Sequence, residues 1–192
     1  MRKIILFLHS SLDGFVEGPN GEMDIGWVTY NEELEKHAKN ILSTVDTVLW
    51  GRGTYQMMKN YWTSVPSNPA STKNEIEHAK WIEETSKVVF STTLEEAEWN
   101  NSRLVKENIE EEIKNIKKQP GKDIIILGSP RFAHRLMELD LIDVIKITIS
   151  PVIIGSGLPL FKGPEYKRNL SLVENKTFNS GVIGLTYNIV KS

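Results

Sequence analysis

The amino-acid pattern predicts an α/β fold, a mixed and mostly parallel sheet with helices on both faces and a C-terminal antiparallel hairpin. Three observations predict it. Short apolar runs alternate with stretches of helical periodicity over most of the chain, as expected of strands joined by crossover helices. The runs 4–8 and 123–127 are apolar without alternation, which suits strands covered on both faces. The last two runs, 170–178 and 182–190, are strand-like and joined only by Asn179-Ser180-Gly181, so they form a hairpin.

Each element follows in order. Residues 4–8 form the first strand, and a glycine-rich loop runs from Asp13-Gly14 to Gly26. Asn31 caps a helix whose Leu34, Ala38, Ile41 and Leu42 share one face. A strand at 47–50 enters the turn Gly51-Arg52-Gly53-Thr54 and a helix over 55–62; Pro66, Asn68, Pro69 and Ser71 then mark a surface loop. Thr72-x-x-Glu75 is a capping box for a helix ending near Thr85. Residues 87–90 are a strand ended by Ser91-Thr92-Thr93, and 103–105 a further short strand. The charged helix after it carries Ile109, Ile113 and Ile116 on one side and is stopped by Pro120-Gly121. The strand 123–127 passes through Gly128-Ser129 into a helix that tolerates Pro130 at its first position. Residues 142–149 are a strand, and 151–161 a glycine- and proline-rich crossover to the hairpin.

The chain has 192 residues, 40% hydrophobic and 25% charged, the balance of an ordinary globular domain. One domain spanning 1–192 is expected, with no repeat or linker. A formal net charge of -2 gives no general attraction to nucleic acid or an anionic membrane, so an anionic ligand needs a local site. Cysteine is absent, which excludes disulfides, thiolate zinc, iron–sulfur ligation and a cysteine nucleophile. The apolar start is cut short by His9-Ser10-Ser11, below signal-peptide length, and no run is long enough to span a bilayer. A cytoplasmic protein is the expectation.

In open α/β sheets ligands bind beyond the carboxyl ends of strands, where helix N-termini offer unpaired N–H groups and partial positive charge. Three strand ends are candidates. At the first, Gly51 and Gly53 admit a phosphate close to the backbone, Thr54 caps the helix and Arg52 offers a cationic fork; equally, the glycines serve a tight turn and Arg52 is solvated. At the second, Gly128 and Ser129 present the next helix to a pyrophosphate, or Gly128 simply packs helix on sheet. At the third, Ser91 and Thr92 either bind a ribose phosphate or satisfy a turn. The G-x-G-x-x-G and Walker fingerprints are missing. Asp13 follows the first strand, and Asp24 and three glutamates, Glu32, Glu33 and Glu35, lie further on; none identifies a general acid unaided. The four histidines lack ligand spacing, so no metal is expected.

Five segments in order carry a resemblance: Ser11-Leu12-Asp13-Gly14-Phe15, Trp50-Gly51-Arg52-Gly53-Thr54-Tyr55, Leu127-Gly128-Ser129, Leu141-Ile142-Asp143, and Pro151-Val152-Ile153-Ile154-Gly155-x-Gly157-x-Pro159-Leu160-Phe161. Over nearly its whole length the chain resembles the C-terminal reductase domain of bifunctional riboflavin-biosynthesis proteins, and more distantly the dihydrofolate reductases. The resemblance implies a three-layer dihydrofolate-reductase-like fold and an NADPH site, with Gly51, Arg52, Gly53, Thr54, Ser91 and Thr92 at the adenosine-ribose end and Gly128 and Ser129 at the pyrophosphate. It also implies that Asp13 and the stretch 21–27, with Asp24 and Trp27, border the substrate, Asp13 being the catalytic candidate. Homodimers built partly through the C-terminal region are implied too. The pyrophosphate turn departs from the double glycine of dihydrofolate reductases, and the zinc-deaminase motif H-x-E…P-C-x-x-C is missing, so a stand-alone reductase is expected. Its substrate would be a small heterocycle such as 5-amino-6-(5-phosphoribosylamino)uracil, with a dihydrofolate or pterin as alternative. A module that binds NADPH without turnover is the reading of another class.

Overall fold

In the computed structural model, which describes residues 1–21, 23–162 and 167–191, the chain begins with β1 (Ile4–Ser11). This strand continues past its apolar run into His9, Ser10 and Ser11, and the two serines are buried although polar. There follow β2 (Phe15–Glu17), α1 (Glu32–Leu42), β3 (Val45–Gly51), α2 (Arg52–Trp62), a 3-10 turn (Val65–Ser67), α3 (Lys73–Glu84), β4 (Ser86–Phe90) and β5 (Ser102–Val105). The second half comprises α4 (Ile109–Lys118), β6 (Asp123–Leu127), α5 (Pro130–Glu138), β7 (Val144–Ser150), β8 (Leu158–Pro159), β9 (Asn169–Thr177) and β10 (Ile183–Val190).

The local signals act as their chemistry predicts. Asn31 Oδ1 accepts the Leu34 N–H at 3.0 Å, and Thr72 and Glu75 form a reciprocal capping box, each satisfying amide donors that the first turn of a helix leaves open. The strand expected from residue 142 starts at Val144 instead. Leu141 and Ile142 are buried ahead of it, and the Asp143 carboxylate takes the Ile4 N–H at 2.8 Å and the Lys117 and Lys191 ammonium groups. Those contacts pin the entry to β7 before the ladder can begin.

The main sheet has the order β5-β4-β3-β6-β1-β7-β10-β9. Every pairing from β5 through β7 is parallel, and β10 adds antiparallel to β7 and to β9. Side chains alternate faces along a strand, so Ile4, Leu6 and Leu8 meet Ile113 and Ile116 of α4 and Phe132 and Leu136 of α5. Ile5 and Phe7 join the opposite layer, with Ala38 and Ile41 of α1, Tyr55 of α2 and Ile82 of α3. Helices therefore cover both faces, the architecture expected from alternating patterns.

Two features lie outside the sequence pattern. A small second sheet pairs β2 with β8, in strands too short to show a period. Gly157 makes that pairing possible: it sits at φ +146, and a Cβ there would meet the Glu17 carbonyl oxygen at 2.0 Å. At the far edge, β9 is exposed along its whole length, with Leu170, Leu172 and Val173 open on its surface. Among the described residues no helix is long and apolar enough to cross a membrane.

Candidate active site

Because β3 and β6 are parallel neighbours, the turns that leave them emerge together at the carboxyl edge of the sheet. Trp50 Nε1 donates to the Leu127 carbonyl at 2.7 Å, and the Gly51 N–H donates to Ser129 Oγ at 3.0 Å, which locks one turn to the other. A Cβ at Gly51 would stand in ordinary van der Waals contact with Phe132 Cβ at 3.4 Å and Ser129 Oγ at 3.5 Å. Gly128 turns the chain at φ +72, a left-handed conformation that glycine adopts without steric cost.

The two helices that start here differ from α1 and α3. Gly51 is the N-cap of α2 and Ser129 that of α5, and neither helix receives a side-chain cap. Their first-turn N–H groups therefore face the cleft without a capping acceptor, the arrangement that favours an anion. The cleft has a volume of about 1070 Å³. Arg52, Gly53 and Thr54 line it from α2, and Ser129, Pro130 and Arg131 from the start of α5, while Gln56, Asn60 and Tyr61 form a further wall.

The structure corrects one role assigned to Thr54. The helix begins at Arg52, two residues earlier than its apolar pattern, so Thr54 lies within the first turn and Gly51 holds the cap position. Arg52 is exposed and donates through one Nη to Thr93 Oγ1 at 2.7 Å, which brings α2 against the end of β4. Ser91 spends its Oγ as acceptor for the Thr93 and Leu94 N–H groups, at 3.2 and 3.0 Å, the turn-forming role of a strand-end hydroxyl. Thr92 is exposed and beside this turn.

Asp13, Asp24 and Trp27 are not among the residues lining the cleft. The Asp13 carboxylate accepts the Gly155 N–H at 2.8 Å and the Ile154 N–H at 3.3 Å, clasping the crossover loop to the end of β1. A hydrogen bond from Ser11, with those amides, holds its pKa below the usual carboxylate range. A carboxylate so stabilised in its charged form is a poor proton donor near neutral pH. Asp24 accepts from Asn20 Nδ2 at 2.8 Å, and Trp27 Nε1 donates to the Asp24 carbonyl at 2.9 Å, so both shape the glycine-rich loop. Glu22, in the same stretch, lies outside the described residues. Two of the helix-one acids are directed elsewhere: Glu33 takes the Asn179 backbone and side-chain N–H groups, and Glu35 the Asn74 side chain.

Sequence reasoning missed the α2 wall of Gln56, Asn60 and Tyr61 and a charged pair, Glu17 and Arg131. Glu17 of β2 is buried, with 4% of its side chain exposed, and both its oxygens accept from Arg131, at 2.7 and 3.1 Å. Arg131 hydrogen bonding outweighs burial and keeps the Glu17 pKa below its ordinary value. A legible signal existed. Arg131 is a cation in the first turn of a helix with no acid there, against the macrodipole, so an anion from elsewhere in the chain was needed beside it. Among the described residues no cluster of three or more His, Cys, Asp or Glu could hold a metal ion.

Comparison with known proteins gives a consistent picture. The family model described as the RibD C-terminal domain matches residues 2–183. The uncharacterised protein YyaP of Bacillus subtilis is 36% identical over 186 residues, covering 97% of this chain and 94% of that protein. Among solved structures, a diaminohydroxyphosphoribosylaminopyrimidine deaminase/5-amino-6-(5-phosphoribosylamino)uracil reductase of Thermotoga maritima superposes with TM-score 0.68 at 17% identity, over 98% of this chain and 57% of that one. A dihydrofolate reductase of Enterococcus faecalis in complex with NADP(H) does so with TM-score 0.60 at 12% identity, over 98% and 97%. The fold is of the dihydrofolate-reductase-like type.

Proposed function

Since the chain belongs to the RibD C-terminal domain family, a family of reductases, we propose that it is an NADPH-dependent reductase of a small heterocycle, most like 5-amino-6-(5-phosphoribosylamino)uracil. The observation that carries this reading is the convergence of the two uncapped helix N-termini, of α2 and α5, on one cleft with Arg52 at its side. A dinucleotide fits that donor set. Its pyrophosphate needs free backbone N–H groups, which the uncapped first turns of α2 and α5 offer, and close approach, which Gly51 and Gly128 allow, and a 2′-phosphate needs a local cation in a slightly acidic protein, which Arg52 offers. Thr54, Ser91 and Thr92 stand beside them as hydroxyl donors.

NADPH would supply the hydride, and the protein's share is binding, orientation and exclusion of water. Gln56, Asn60 and Tyr61 on the α2 wall of the cleft are candidates to face the heterocycle. Asp13 would contribute indirectly, by fixing the crossover loop, with Asp24 and Trp27 shaping the loop that borders the substrate. A folate substrate is less well supported, because Glu33 and Glu35 have partners away from the cleft.

The same reading extends to a cytoplasmic homodimer. The exposed apolar side chains of β9 and β10, Leu170, Leu172, Ile183 and Val190, would be covered by a second copy instead of remaining an open sheet edge. Light scattering at micromolar concentration should give twice the monomer mass, and a monomer would remove this part of the reading. Calorimetric titration with NADPH, followed by loss of reduced-cofactor absorbance across a panel of pyrimidines and pterins, tests the activity. Binding without oxidation of any panel member would favour the non-catalytic module, and absence of NADPH binding would defeat the proposal.

A further inference from the structure

The Glu17–Arg131 pair is unusual for its setting. One partner is buried and the other has 65% of its side chain exposed toward the cleft. A buried carboxylate is costly to desolvate, and an apolar pair of similar volume generally stabilises a fold at least as well. Placing the cation in the first turn of α5 adds a macrodipole penalty. Stability alone is therefore a weak reason for the pair, whereas a guanidinium held in a fixed direction at the mouth of an anion-binding turn has an evident use.

The geometry supplies that use. Both contacts to Glu17 run through the two Nη atoms, so Nε–H and the outer N–H groups of the planar fork have no protein acceptor among the described residues and remain available to a second anion. Glu17 is also tied to two other pieces of the cleft. Its Oε2 accepts the Met23 N–H at 3.4 Å, and its backbone lies against Gly157 in the small sheet. The Gly18 N–H, next in sequence, donates to the Asp24 carbonyl at 2.8 Å, and that carbonyl also takes Trp27 Nε1. Segment 23–27 is thus joined to the α5 N-terminus through one carboxylate.

We propose that Glu17 is a positioning residue that aims Arg131 at a phosphate of the bound dinucleotide and, by holding residues 23–27 to the same guanidinium, makes the order of that segment depend on the ligand. The proposal rests on the NADPH reading above. Arg131 shares its fork between the buried carboxylate and the incoming phosphate, so binding tightens a contact that already spans the cleft.

Hydrogen exchange at 23–27, with and without NADPH, tests the coupling alongside calorimetric affinity. In the unaltered protein NADPH slows exchange at 23–27. Glu17→Gln speeds exchange there in the free protein, abolishes the protection by NADPH and weakens NADPH severalfold, less than the loss of Arg131 itself, because the guanidinium remains but is no longer held in one direction. Arg131→Gln abolishes protection and also weakens NADPH about tenfold, the effect of losing one charge-assisted hydrogen bond. Arg131→Lys keeps the charge without the two-point fork and recovers part of the affinity but not the protection. In Arg131→Gln, Glu17 is buried without its cation, so protection at 23–27 relative to the intrinsic exchange rate becomes pH-dependent above the ordinary glutamate range, a response absent from Glu17→Gln. Exchange at 23–27 identical in Glu17→Gln and the unaltered protein, free and bound, overturns the proposal. Failure of the unaltered protein to bind NADPH instead defeats the cofactor reading, and the free-protein comparison still decides whether Glu17 orders the segment.

Discussion

The Oγ of Ser129 accepts the backbone N–H of Gly51 at 3.0 Å, so one hydroxyl joins two turns that are far apart in the sequence. Ser129 is buried, and its hydroxyl oxygen satisfies the Gly51 N–H at that junction. Ser129→Ala should destabilise the protein by about 1–3 kcal/mol, the cost of an unsatisfied buried donor. It should weaken NADPH as well, since the two helix N-termini are no longer held together. Urea unfolding and calorimetry measure both, and unchanged values for each would mean that water replaces the hydroxyl.

Arg52 should discriminate between the phosphorylated and unphosphorylated cofactors. It stands at the first position of α2 and spends one Nη on Thr93 Oγ1, so the rest of its fork can receive a 2′-phosphate. A charge-assisted hydrogen bond of about 1.5–3 kcal/mol means that Arg52→Ala weakens NADPH by roughly one to two orders of magnitude and leaves NADH almost unaffected. Equal losses for the two cofactors, by calorimetry, would assign Arg52 to the turn alone.

Asp13 should behave as a clasp. Asp13→Asn keeps an acceptor for one of the two loop amides and loses the charge, so the melting temperature falls and NADPH affinity stays the same. Turnover falls with it, because the loop beside the substrate loosens. If turnover collapses while exchange at 151–157 matches the unaltered protein, Asp13 has a direct chemical role and the clasp is secondary.

Acid should destabilise the fold before the carboxylates titrate. Burial lowers the pKa of His78 to about 4, and burial together with the neighbouring His37 lowers that of His9 to about 4. His37 shifts in the same direction. Between roughly pH 6.5 and 4 the unfolded chain therefore binds protons that the folded protein refuses, so stability is full above that window and declines as pH falls through it. Denaturant midpoints at half-unit intervals should show the decline. His78→Phe, which keeps a ring beside Trp62 and Trp81, should make it shallower, and a flat profile from pH 6.5 to 5 would contradict the burial of these rings.

The sequence by itself determined the helices, the strands of the main sheet and their order, but not the short strands β2 and β8. Asn31, the Thr72–Glu75 box and Pro130 mark helix starts through contacts within a turn or so, and the apolar runs mark strands through a period of two or an unbroken stretch. Such signals are local, and so they survive in one dimension. The turns Gly51–Thr54 and Gly128-Ser129 were legible as anion-binding candidates for the same reason, though not as parts of one site. Only the tertiary structure decided that β3 lies beside β6, which brings those turns together, and that Glu17 of a three-residue strand meets Arg131 across 114 positions. Pairing of that kind is set by the register of a whole sheet and the burial of both its faces, and no run of neighbouring residues encodes it. The placement of Asp13 was settled at the same level: the residue lies in the turn just after β1, as its sequence position implies, but its carboxylate goes to the amides of Ile154 and Gly155, because the crossover loop returns to that strand end and brings those N–H groups to it.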